Sequence, residues 1–196
     1  MNLQLKQLLK NQENLSNEKD KEKIIVKQLK NKSTKEAAFR SLVDLYKTQV
    51  YWQARRNVVV HEDADDIAQN VFIKIWQNVD KFRGDAKLST WIYRITANEI
   101  IDFVNSKYKK QEFNSDDLDR VEQSLSEEYF SGTHIEKQFQ KALLEIPPRQ
   151  RMVFTMRYYD ETPFKDIAEK LQLTVGAVKA SYHHASEKMK RFLLEN

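Results

Sequence analysis

The chain has 196 residues, with 33 Lys and Arg against 29 Asp and Glu, three glycines, three prolines and no cysteine. That length holds one domain or two small ones, too little for a large enzyme barrel. The missing cysteines remove disulfides, thiolate zinc sites and thiol nucleophiles, and the scarcity of glycine argues against Gly-lined phosphate loops and turn-rich sandwiches, which leaves helix as the default.

The chain opens with a polar arm, residues 1–33, rich in Lys, Asn, Gln and Glu, with room for one helix around Lys23–Lys30. It has no apolar core of signal-peptide length, and no later run of apolar residues is long enough to span a membrane. A cytoplasmic chain with no direct membrane insertion is therefore expected. Residues 34–110 form a first lobe. Phe39, Leu42, Val43, Tyr46, Val50 and Ala54 share one helical face, and Ile67, Val71, Ile75 and Val79 repeat that spacing with Ala68, Phe72 and Trp76 as a parallel stripe. Asp65 and Asp66 stand in the first turn of this second helix, where carboxylates suit the positive end of the dipole. After the turn-like Phe82-Arg83-Gly84-Asp85, Ser89 or Thr90 is placed to cap a third helix, Trp91–Val104.

Residues 111–134, QEFNSDDLDRVEQSLSEEYFSGTH, carry seven acidic side chains and one basic one, in contrast to the mildly basic segments on either side. The stretch has no helical stripe and is too long for an ordinary loop, so it reads as a linker. The second lobe, residues 135–196, opens with the stripe Ile135, Phe139, Ala142, Leu143 and Ile146, which stops at Pro147-Pro148. A helix Arg149–Tyr159 follows, then a short helix Phe164–Leu171, a turn Gln172–Val175 and a long helix from Gly176 to Leu194. The fold class expected is all-α: two small helical domains joined by a long acidic linker.

Short helix, tight turn and longer helix, with small Ala168 where the axes approach and Thr174 as cap, is the pattern of a helix-turn-helix. The polar face of its second helix offers Lys179, Ser181, His183, His184 and Lys188, donors suited to phosphates and base edges. An ordinary helical hairpin with a solvated face fits the same spacing. The cluster His61, Glu62, Asp63, Asp65 and Asp66 has metal-ligand residue types, but consecutive residues at a helix start point in different directions and supply no coordination shell. His183 and His184, adjacent on a helix, diverge by about 100°. No metal or cofactor is expected.

Two segments resemble a known family. DADDIAQNVFIKIWQNVDKFRGDAKLSTWIYRITANEIIDF resembles region 2 of sigma-70 type transcription initiation factors, and IPPRQRMVFTMRYYDETPFKDIAEKLQLTVGAVKASYHHASEKMKRFL resembles their C-terminal DNA-binding region 4. With no third globular region between them, the pattern is similar to the small extracytoplasmic function (ECF) class. The resemblance implies a non-enzymatic subunit that binds core RNA polymerase, recognises −35 duplex with the C-terminal lobe and melts the −10 element with the N-terminal one. It also implies a sequestering anti-sigma factor, often membrane-bound.

The resemblance assigns roles by position. Asp66, Gln69, Asn70, Phe72 and Trp76 would dock on the clamp coiled coil of the polymerase, Asn70 standing where an acidic residue is common. Phe82, Arg83 and Lys87 would capture an extruded −10 base, with Trp91, Tyr93, Arg94 and Asn98 on or near the strand-separating face. After Asp102 the family usually continues with arginines; here the basic cluster is Lys107, Lys109 and Lys110. Lys179, Ala180, Ser181, His183, His184 and Lys188 would meet the −35 element. Arginine is common at the positions of Ser181 and His184, so a histidine there predicts −35 binding that tightens as pH falls toward about 6. Arg149, Arg151 and Arg157 either grip phosphates or lie on a solvated face. The acidic linker is either a mimic of RNA inside the exit channel or a solvated tether. A stand-alone helix-turn-helix regulator, with the first lobe as a ligand or dimerisation domain, is the competing reading; it would bind −35-like duplex without polymerase.

Overall fold

Apolar residues at three- and four-residue spacing and few breakers make a chain of helices, and the computed structural model, which describes residues 20–109 and 134–195, contains no strand among them. The first helix, α1, covers residues 20–29. It is no solvated tail: Ile25 and Leu29, one turn apart, are buried in the core of the first lobe, and the Tyr46 hydroxyl donates to Glu22 Oε1 at 2.5 Å. Residues 1–19 of the arm lie outside the described residues, as do residues 110–133 of the acidic linker.

Three longer helices complete the first lobe: α2 (Lys35–Arg55), α3 (His61–Asn78) and α4 (Leu88–Lys109), with a 3-10 turn at Val79–Lys81. The stripe read from sequence is the one that packs. Leu42 and Val50 of α2 meet Ile67, Val71 and Ile75 of α3 and Ile92 and Ile100 of α4, all at 1% exposure or less. Each such side chain stabilises the fold by roughly 1.5–3 kcal/mol. Polar ties fix the α3–α4 pairing: Lys107 Nζ lies 2.7 Å from Asp63, and Lys74 pairs with the nearly buried Glu99.

The third helix starts earlier than the cap residues suggest. Gly84, at φ 87°, turns the chain soon enough for buried Leu88 to be the first helical residue, so Ser89 and Thr90 lie inside the first turn of α4 rather than capping it. The helix also continues past Val104 to Lys109.

The second lobe consists of α5 (His134–Leu144), α6 (Pro148–Tyr158), α7 (Phe164–Leu171) and α8 (Val175–Glu195). Pro148 takes the first turn of α6, where a missing N–H costs nothing and the fixed φ suits a helix. Ala142, Leu143, Ile146, Phe154, Ala185 and Met189 form one core that binds α5, α6 and α8 together. A second set, Met152, Val153, Met156, Ile167, Ala168 and Val178, belongs instead to the same buried cluster as the first lobe. The two lobes therefore share apolar core across an α4–α6–α7 junction.

Candidate nucleic-acid interface

The turn between α7 and α8 is built by local chemistry. Gln172 adopts the left-handed conformation at φ 55°, its N–H reaches Glu169 O and the Leu173 N–H reaches Ala168 O at 2.9 Å, which closes the C-terminus of α7. Two residues later Thr174 Oγ1 accepts the Ala177 N–H at 3.1 Å, the N-cap expected from its side chain. Buried Ala168 and Val178 hold the two helices together. What remains outward on α8 is Lys179, Ala180, His183 and His184, all exposed, with Ser181 and Lys188 half-buried at its edges. The His183 and His184 rings are 5.8 Å apart and tilted. No group of three metal-ligating side chains occurs among the described residues, the acidic start of α3 included. There His61 pairs with Asp65 at 3.2 Å while Asp63 turns to Lys107.

On α3, Asp66, Gln69 and Asn70 are exposed together, and the residue that completes their face is Ile73, 53% exposed. Ile73 was absent from the sequence-derived set. It stands outside the buried 67, 71, 75 stripe and follows Asp66 by seven residues, which is the signal that locates it. Phe72 and Trp76 lie on the neighbouring edge: Phe72 packs on the core, and Trp76 meets Phe39 edge-to-face at 4.9 Å with Lys35 Nζ over its ring.

The proposed −10 residues divide into two groups. Arg83 and Lys87 are exposed, and Phe82 is buried against half-buried Trp91 with ring centroids 5.1 Å apart. Tyr93 and Arg94, by contrast, face the second lobe. Tyr93 is 5% exposed, with Lys170 Nζ 4.9 Å from its ring centroid; burial pushes its hydroxyl well above the ordinary tyrosine range, and the nearby Asp160 carboxylate adds to that. Arg94 donates Nε to Lys170 O at 3.2 Å and Nη2 to Glu169 O at 2.9 Å, on the C-terminal carbonyls of α7. Asn98 stays exposed beside a small cleft of about 120 Å³ shared with Arg149 and Gln172.

Further contacts tighten this junction. Arg56 pairs with Asp160, and Asn57 Nδ2 lies 3.9 Å from Met152 Sδ. Arg151 is 2% exposed and donates to Asn57 O at 2.7 Å, Leu144 O at 2.9 Å and Ile146 O at 3.1 Å. It is neither a phosphate grip nor a solvated residue, because its guanidinium ties the end of α5 to the end of α2. Arg149 is exposed, and Arg157 donates to Glu161 O at 3.0 Å with its guanidinium over Phe164.

Comparison with known proteins decides the family. The model for sigma-70 region 2 matches residues 42–110 and that for sigma-70 region 4 matches residues 136–189. The ECF RNA polymerase sigma factor SigW of Bacillus subtilis (strain 168) is 32% identical over 183 residues, which covers 88% of this chain and 98% of SigW. The chain belongs to the ECF sigma factors of the sigma-70 family. The ECF sigma-E factor of Escherichia coli (strain K12) is 27% identical over 162 residues, 76% of this chain and 83% of that protein. Among solved structures, CnrH in complex with the cytosolic domain of CnrY superposes with a TM-score of 0.61 at 20% identity, covering 90% of this chain and 99% of that one. RpoE in complex with the anti-sigma factor NepR from Bartonella quintana gives 0.55 at 20% identity, covering 79% and 96%. These two likenesses show the fold. As an ECF sigma factor, the protein is an alternative-type initiation subunit that binds core RNA polymerase and directs it to promoters with −35 and −10 elements. No described helix is long and apolar enough to cross a membrane.

Proposed function

We propose that this sigma factor melts the −10 element with its first lobe and reads the −35 duplex with α8, working in the cytoplasm and leaving all catalysis to the polymerase. The observation that carries the melting step is the Phe82–Lys87 segment. Arg83 and Lys87 are exposed and form no ion pair with any described residue, beside the aromatic pair Phe82–Trp91. A strand whose bases have left the stack needs a surface of this kind, cationic for its phosphates and apolar for its base. Asp66, Gln69, Asn70 and Ile73, with Phe72 and Trp76 at the edge, form the polymerase-docking face of α3. Lys179, Ala180, His183 and His184 supply the −35 contacts, with Ser181 and Lys188 flanking them.

CnrH and RpoE were solved with CnrY and NepR, and by likeness to them this sigma factor is held by an anti-sigma factor until needed. The seven carboxylates of residues 111–134 suit that linker to the RNA exit channel, where like charge would let a growing transcript displace it. Permanganate probing of a promoter complex tests the melting step. Thymines of the −10 element should react with the wild type and lose reactivity in an Arg83→Ala, Lys87→Ala variant; equal reactivity would contradict the assignment.

A further inference from the structure

The segment matched by the region 2 model begins at residue 42, which leaves α1 and the arm before it without a role. α1 forms one wall of a cleft of about 690 Å³ whose other wall is the Phe82–Leu88 segment. The lining is mostly apolar, with half-buried Val26 across from buried Phe82 and Leu88 and half-buried Ala86 beside them. Apolar surface open to water gains from being covered. The chain that leads into α1 carries a cover of matching chemistry. Residues 1–10, MNLQLKQLLK, hold four leucines, of which Leu5, Leu8 and Leu9 have the three- and four-residue spacing of one helical face. Residues 11–19, NQENLSNEK, hold one leucine, and their Asn11, Asn14, Ser16 and Asn17 are turn-forming types. The arm joins α1 at the right end, because Glu22 and Lys23, in the first turn of α1, already line the cleft. From Leu9 to Asp20 an extended chain reaches about 35–40 Å, whereas α1 from Glu22 to Lys30 is only about 12 Å long. The leucines can therefore reach any part of the cleft.

We propose that residues 1–10 fold back along α1 and seat Leu5, Leu8 and Leu9 in this cleft, against Val26, Phe82 and Leu88. Tethering selects this occupant over a separate partner. A segment on a short connection is present at an effective concentration in the millimolar range, which a free apolar peptide does not match. The seated arm lies on the Phe82–Leu88 segment, so it competes with whatever else that segment holds. This consequence rests on the reading of Phe82–Lys87 as the strand-capturing segment: the arm is then a reversible cover that promoter DNA must displace. Exposed Arg83 and Lys87 stay outside the apolar lining and remain free to draw the strand in.

The chain has no cysteine, so an introduced pair reports a single contact. Oxidation of full-length Leu8→Cys, Ala86→Cys should give an intramolecular disulfide in most molecules, at a yield that dilution does not change. Leu8→Cys, Lys47→Cys is the control: Lys47 is exposed on α2 beside Tyr46, whose hydroxyl meets Glu22, so a freely swinging arm reaches it as readily. The control should cross-link in few molecules. Equal yields from the two pairs would overturn the docking, and so would cross-linked dimers that fade on dilution, which would give the cleft to a second copy. Competition is read by anisotropy on a random 12-nucleotide single strand. An arm that fills the cleft four-fifths of the time weakens apparent binding about fivefold, so Leu5→Asn, Leu8→Asn, Leu9→Asn should bind about fivefold more tightly than the wild type. No gain in that variant, with the selective cross-link present, would refute the competition. The strand-capture reading fails separately, if Arg83→Ala, Lys87→Ala binds the strand as well as the wild type does; the two cross-link yields then still decide the docking.

Discussion

Arg94 of α4 donates two hydrogen bonds to the last carbonyls of α7, with Nη2 2.9 Å from Glu169 O. A residue proposed to touch promoter DNA thus caps the first helix of the helix-turn-helix. Tyr93 beside it is buried under Lys170. For both to meet DNA the junction must open, so weakening it should help the strand-separating face bind. Asp160→Ala removes the partner of Arg56, each about a third exposed, and a pair of that kind is worth about 0.2–1 kcal/mol. The variant should bind single-stranded −10 DNA up to about fivefold more tightly by anisotropy. Unchanged affinity would mean that this pair does not hold the lobes closed.

Arg151 should be among the most costly side chains to remove. Truncation to alanine removes the Arg151 donor from the buried carbonyls of Asn57 and Ile146, and each buried unsatisfied group costs about 1–3 kcal/mol. Urea unfolding of Arg151→Ala should show a loss of at least ~2 kcal/mol. Arg151→Lys should recover only part of it, because an ammonium does not span the planar fork. Full rescue by lysine would reduce the role to charge alone.

The Tyr93 hydroxyl makes the fold sensitive to alkali. Its folded pKa is raised, chiefly by burial and further by Asp160, so above the ordinary tyrosine value of about 10 the unfolded chain releases a proton that the folded one keeps. The sign is a loss of stability with rising pH, about 1.4 kcal/mol per unit from this group. Tyr93→Phe should flatten the alkaline limb of a stability profile between pH 10 and pH 11 by about that amount. An identical limb in the variant would show that other groups set it.

Ile73 offers a test of the polymerase face that spares the core. At 53% exposure it gives the fold little, so Ile73→Glu should leave unfolding unchanged within about 0.5 kcal/mol. At the centre of a protein interface the same change should cost about 2 kcal/mol or more, a loss of roughly thirtyfold in affinity for core polymerase. Retained affinity would move the interface off this face.

Periodicity made most of the fold legible. The stripes of Leu42 and Val50, and of Ile67, Val71 and Ile75, bury as spaced, and Thr174 caps α8 as its hydroxyl suggests. The start of α4 was misread because Ser89 and Thr90 have cap chemistry, whereas the position of the turn was set by Gly84 and the burial of Leu88. Which side chains of a single helix stay outward, such as Lys179 to His184 or Asp66 to Asn70, could be read because that geometry is local. Arg151 and Arg94 could not, since their partners lie on other helices, 94 residues away for Asn57 and 75 for Glu169. Nor did the polar content of residues 1–33 reveal that Ile25 and Leu29 would enter the core.

The central claim is that this chain carries promoter choice to the polymerase. In vitro transcription of genomic fragments, with core polymerase from the same cells and transcript starts mapped, tests it most directly. Starts that require the added chain, each preceded by shared −35 and −10 sequences, are the predicted result. Start sites that are the same with and without the chain would contradict it.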